Sequence, residues 1–158
     1  MAIVNIRDTG RNSAKTSDVR ELAEKVQKPS DTEAITAANT ITAAESGTRF
    51  VMNTATARIQ TLPSPAAGLE YWFYVGATEP TGTHTVVTAS SANIIVGNVS
   101  SPEDAAGAVA TVTDADTISL VASKAGHGDY AHVWSDGTNW YLDGMCKVQD
   151  GITTTQAS

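Results

Sequence analysis

The chain has 158 residues, ten Lys and Arg against seventeen Asp and Glu, a formal net charge of −7 and a single cysteine. That length suits one domain with its own core. One cysteine excludes an intramolecular disulfide, no Cys/His spacing suggests structural zinc, and no apolar run approaches the ~18 residues of a membrane span.

Charge is divided unevenly along the sequence. Residues 1–28 hold six basic and four acidic side chains, a balance of +2, whereas the rest hold four and thirteen, a balance of −9. The acidic body argues against nucleic acid as a partner, because phosphate-backbone affinity comes from Lys and Arg displacing counterions. The segment Met1–Arg7 has too few hydrophobes before its first charge for a signal peptide, so synthesis in a cytoplasm is expected.

Residues 1–15 show no hydrophobic period and read as an extended arm, with Ile3, Val4, Ile6, Arg7 and Arg11 as its candidate contact residues. Asp18 and Glu21 then form a capping-box pattern, and Val19, Leu22, Ala23 and Val26 follow at i, i+3, i+4 and i+7, an apolar stripe on a short helix that Pro29 stops. Burying the three larger hydrophobes yields about 1.5–3 kcal/mol each, whereas ordering each of some ten residues costs about 1.5 kcal/mol. The stripe must therefore dock, either on its own domain or on a partner. With Pro29–Glu33 read as a linker, the boundary falls between an arm-and-helix segment (1–33) and a β domain (34–158).

From Ile35 onward β-branched and small residues dominate, and short strand-like runs recur between turn signals. The runs are Thr36–Thr42, Thr48–Asn53, Ala57–Leu62, Glu70–Val75, His84–Ala89, Asn93–Val96, Ala108–Thr113, Thr117–Ala122, Tyr130–Trp134, Asn139–Leu142 and Cys146–Val148. Dense turn chemistry predicts antiparallel pairing, since parallel strands need long crossovers. Two runs stand out. Glu70–Val75 alternates so that Tyr71, Phe73 and Val75 face one way and Trp72 and Tyr74 the other, making both faces apolar. Such a strand is either covered on both sides or closes a subunit interface, for which Tyr71, Trp72 and Tyr74 are the candidates. Tyr130–Leu142 reads as a β-hairpin about Asp136-Gly137, with Trp134 and Trp140 as packing residues. The tail Gly151–Ser158 is a closing strand or a segment that pairs across subunits.

Catalytic and metal constellations are weak. The three histidines, His84, His127 and His132, have no serine elbow beside them, and a hydrolase is not expected. His127, Asp129 and His132 are close in sequence, but His132 is an odd step from both, and a loop histidine beside a strand histidine is the plainer reading. Asp114 and Asp116 lack the further ligands of a calcium loop. Cys146 reads as a small strand residue, and the Asn98 sequon as chance. No enzyme activity, cofactor, metal or small-molecule substrate is expected.

Residues 36–158 resemble a β domain of tailed-bacteriophage virion proteins, especially capsid decoration (cement, or head auxiliary) proteins, and also of some tail-fibre modules. The resemblance lies in Thr40–Gly47, Gln60–Pro65 followed by Gly68–Phe73, Asn93–Gly97, Gly128–Leu142 and Gly151–Ser158. It implies a mainly β fold, an antiparallel sandwich or barrel of jelly-roll type, that assembles as a homotrimer on the capsid exterior and braces the major capsid protein. It brings no catalytic or binding residues. On that reading the N-terminal segment is the anchor, through the arm residues above and Val19, Leu22 and Val26. The alternative is a tail-fibre or adsorption module that binds host glycans through the hairpin.

Overall fold

The computed structural model describes residues 31–102 and 109–158. The predicted arm, its helix and the residues Ile3, Val4, Ile6, Arg7, Arg11, Val19, Leu22 and Val26 lie outside them. Twelve strands are described: β1 (Thr32–Ile35), β2 (Asn39–Thr40), β3 (Arg49–Met52), β4 (Ile59–Thr61), β5 (Glu70–Val75), β6 (His84–Val87), β7 (Ile95–Ser100), β8 (Val109–Ala115), β9 (Thr117–Leu120), β10 (Tyr130–Ser135), β11 (Trp140–Met145) and β12 (Ile152–Thr155). Helical structure among the described residues is confined to two 3-10 turns, Ala43–Glu45 and Ala89–Ser91. The protein is mainly β and sandwich-like.

The strands form a seven-stranded sheet, ordered β1-β3-β5-β10-β11-β7-β8, and a five-stranded sheet, ordered β12-β9-β6-β4-β2. Both are mixed, which corrects the expectation of antiparallel pairing. β1, β3 and β5 run parallel to one another, as do β2, β4 and β6, and β7 is parallel to β11. From β1 to β6 the chain visits the two sheets in turn. The crossover that a parallel pair requires is thus a strand of the opposite sheet with its loops: residues 36–48 carry β2 between β1 and β3. Antiparallel pairing begins with β7 and β8 and continues where β9 returns beside β6 and β10 beside β5.

Two other boundaries move. Thr32 and Glu33, expected in a linker, belong to β1, which pairs with β3. Cys146–Val148 is not a strand; β11 ends at Met145. The C-terminal tail closes the smaller sheet, β12 pairing with β9 within the chain.

Strand alternation divides each sheet into an inner and an outer face. The inner faces share one core. Phe50, Tyr71, Phe73, Val133, Trp140 and Leu142 from the larger sheet are buried with Val86, Ile118, Leu120 and Ile152 from the smaller. Phe50 and Phe73 are stacked at 5.4 Å, and Tyr71 and Trp140 are tilted at 5.8 Å, both within the spacing at which aromatic pairs add to area burial. Gly97 permits a close approach between β7 and β11: at φ 146° it marks a register irregularity between β7 and β8, and a Cβ there would meet the Leu142 carbonyl oxygen at 2.0 Å.

Candidate functional site

The outer face of the larger sheet carries an aromatic tier. Register places its side chains in three rows across the strands: Val51, Tyr74, Tyr130 and Met145; then Arg49, Trp72, His132 and Asp143; then Glu70, Trp134 and Tyr141. The predicted alternation of β5 is observed. Tyr71 is fully buried in the core, so of the three interface candidates only Trp72 and Tyr74 stand on this face. The Tyr71 hydroxyl donates to the Thr42 carbonyl at 3.0 Å, and burial, with Glu45 second, pushes its pKa up to about 12.

The rings of the tier stack on each other across strands. Trp72 and His132 lie 3.8 Å apart at 11°, and Trp134 and Tyr141 lie 4.2 Å apart at 14°. Two rings lying flat on a sheet could not bring their centres so close, so near-parallel rings at this spacing stand face to face. Their faces cover each other and their edges point outward. Trp72 and Tyr74 continue the stack along β5 at 5.9 Å, with Tyr130 tilted against both. Trp134 and Met145 are each 43% exposed, which leaves the tier an open apolar surface among the described residues. Its charged groups are Arg49, Glu70 and Asp143, with Asp136 at the hairpin tip. Glu70 Oε2 lies 3.6 Å from His132 Nε2, an ion pair only if the imidazole is protonated.

The hairpin itself forms as the Asp-Gly signal predicts. Ser135 pairs with Trp140, leaving residues 136–139 as the loop, with Gly137 at φ 104°. Asp136 Oδ1 accepts the N–H groups of Thr138 at 2.8 Å and Asn139 at 2.9 Å, and Oδ2 accepts the Tyr141 hydroxyl at 3.0 Å. These bonds, the Asn139 and Thr138 amides first, hold the Asp136 carboxyl below its usual pKa. The pairing also separates the two tryptophans. Trp140 opposes inward Ser135 and is fully buried, whereas Trp134 opposes Tyr141 on the outer face. Of the two expected packing residues, Trp140 packs in the core and Trp134 packs on Tyr141 at the half-open outer face. A four-residue loop carries that parity, and a count across it is the signal that distinguishes the two.

The other singled-out residues are structural. His84 is fully buried, with Nδ1 accepting the Arg58 N–H at 3.2 Å and Nε2 3.0 Å from the Thr54 carbonyl, the pattern of a neutral ring protonated at Nε2. Asp129 is buried and its carboxylate accepts the N–H groups of Gly126 at 2.9 Å and Lys147 at 3.2 Å, tying the loop before β10 to the chain after β11. The His127 carbonyl accepts from Lys147 Nζ. Asp116 joins strands by its backbone, donating to Thr155 and accepting from Thr88, both at 2.9 Å. Cys146 is buried, and that burial pushes its thiol pKa up. Among the described residues no group of three or more His, Cys, Asp or Glu could hold a metal ion.

Fold and face together define a class: a mainly β, sandwich-like module whose distinctive surface is a stacked aromatic tier. No family model, curated protein or solved structure matches the chain.

Proposed function

We propose that the protein is a structural component of a phage virion, a decoration protein that attaches as a trimer to the outside of an assembled capsid and braces contacts between major capsid subunits. The aromatic tier is the observation that supports this reading beside the sequence resemblance. Trp and Tyr are enriched and charge is depleted in the cores of protein–protein contacts. Rings whose faces are already stacked offer a rigid edge-on surface suited to packing against protein. A ligand that binds only the assembled shell stabilises it by mass action, and repetition on the lattice adds avidity. The test is addition of purified protein to expanded capsids that lack it. Saturable co-sedimentation and a raised temperature of capsid disruption are expected, whereas no binding, with immunogold label on the tail, overturns the proposal.

Exposed Trp134 favours one second reading, a tail-fibre module that binds host glycans. Sugar rings stack on aromatic faces, and Tyr141 already occupies one face of Trp134. Titration with host polysaccharide should quench or shift tryptophan emission if this reading holds, and a flat titration removes it.

A further inference from the structure

We infer that the outer face of the smaller sheet is where copies of this chain meet. Register places Ser119, Thr85 and Ile59 in one row across β9, β6 and β4, and Thr117, Val87 and Thr61 in the next. Their alternates along the strands, such as Ile118, Val86 and Gln60, are buried in the core, so both rows point away from it. Ile59 is 53% exposed, against 43% for Trp134 on the other sheet, and the remaining five are half-buried.

Charge selects the occupant. No residue of β12, β9, β6, β4 or β2 is Asp, Glu, Lys or Arg, and their one histidine, His84, is buried on the inner side. The charged residues just before two of these strands are withdrawn as well: Arg58 Nε donates to the Thr36 carbonyl at 2.9 Å, and Asp116 is buried. The strands of the larger sheet, by contrast, carry Glu33, Arg49, Glu70, Asp114 and Asp143. Residues 29–158 have a charge balance of −9, so two copies repel wherever their acids face each other.

Like charges set against each other across an interface disfavour that pairing. The aromatic tier packed on itself would bring Glu70, Asp136 and Asp143 of one copy near those of another. A basic partner would be drawn to the acids and gain nothing from a neutral face. An identical acidic copy is the partner for which the neutral face is the favourable one. Side-chain chemistry suits the same pairing. Threonine presents a methyl group for dry contact and a hydroxyl that both donates and accepts, so the hydroxyls of two copies can satisfy one another. Short side chains also let sheets pack face to face at about 10 Å. The trimer of the functional reading, which supplies only the number of copies, then sets three such faces about its axis and leaves each aromatic tier outward for the shell.

In the full-length protein, Thr61→Glu with Ser119→Glu places a charge on either side of β6 at sites that are not cross-strand neighbours. Light scattering during size exclusion should show the mass fall threefold, from three chains to one, with an unchanged circular dichroism spectrum. Trp134→Ala should keep the wild-type mass. Thr85→Cys is a milder change and decides the matter if the Glu pair fails to fold. A disulfide-exchange reagent should label it more slowly as protein concentration rises, while buried Cys146 stays silent. A wild-type mass of one chain at every concentration overturns the inference, and so does an undiminished mass in the folded Glu pair or a Thr85→Cys labelling rate independent of concentration. Loss of the oligomer in Trp134→Ala alone also overturns it and assigns the contact to the tier. Capsid co-sedimentation reads the functional proposal separately: a wild-type oligomer that binds no capsid refutes that proposal and leaves this face standing.

Discussion

Gly97→Ala is the sharpest test of the close approach between β7 and β11 in the larger sheet. Gly97 has φ 146°, and a Cβ built there would lie 2.0 Å from the Leu142 carbonyl oxygen and 2.8 Å from the Leu142 carbonyl carbon and nitrogen. Those neighbours are backbone atoms of β11, so no rotamer change relieves the clash. Either β7 leaves β11, or Gly97 takes a new φ and the register with β8 shifts. A disfavoured backbone conformation costs about 1–3 kcal/mol, and two ladder hydrogen bonds add about 1 kcal/mol each, giving about 3–5 kcal/mol. Against a typical domain stability of about 5–15 kcal/mol, the variant stays folded at low temperature. At about 4 °C per kcal/mol, thermal unfolding followed by circular dichroism should come about 12–20 °C earlier. Gly68→Ala is the control: Gly68 also has positive φ (85°), but a Cβ there meets nothing within 4 Å. A Gly97→Ala loss no larger than that of Gly68→Ala would refute the close approach.

Three further outcomes are expected. Trp140→Ala should cost about 3–5 kcal/mol in urea unfolding, whereas Trp134→Ala on the outer face should leave the body nearly as stable and act instead on capsid attachment. Asp136→Asn should narrow the acid sensitivity of unfolding. Because the folded carboxyl has a lowered pKa, its contribution is present above the unfolded carboxylate value and lost as pH falls through the folded one. The urea midpoint of wild type should thus drop further than the variant's between neutral and acid pH, and parallel curves would count against the Asp136 network. Cys146, buried and with a raised thiol pKa, should resist a disulfide-exchange reagent until denaturant is added. Prompt labelling of the native protein would contradict the burial.

Local pattern makes some of this architecture legible in the residues and leaves the rest unreadable. Period-two alternation is geometric, so the two apolar faces of Glu70–Val75 and the hairpin about Asp136-Gly137 can be read directly, and both are observed. Side-chain alternation is the same for parallel and antiparallel neighbours, so strand direction leaves no mark in a single strand. The parallel arrangement of β1, β3 and β5 depends on β2 and β4 crossing into the opposite sheet, a relation between distant segments. Likewise Thr32 and Glu33 look like linker residues until β3 supplies a partner, and Asp129 looks like a loop acid until the Gly126 and Lys147 amides converge on it. Composition identifies an acidic chain rich in small and β-branched residues, with its basic side chains concentrated in the first 28 positions. Only the pairing of β5, β10 and β11 brings Trp72, Tyr74, Tyr130, Trp134 and Tyr141 onto one surface, because cross-strand neighbours are set by register and not by closeness in sequence.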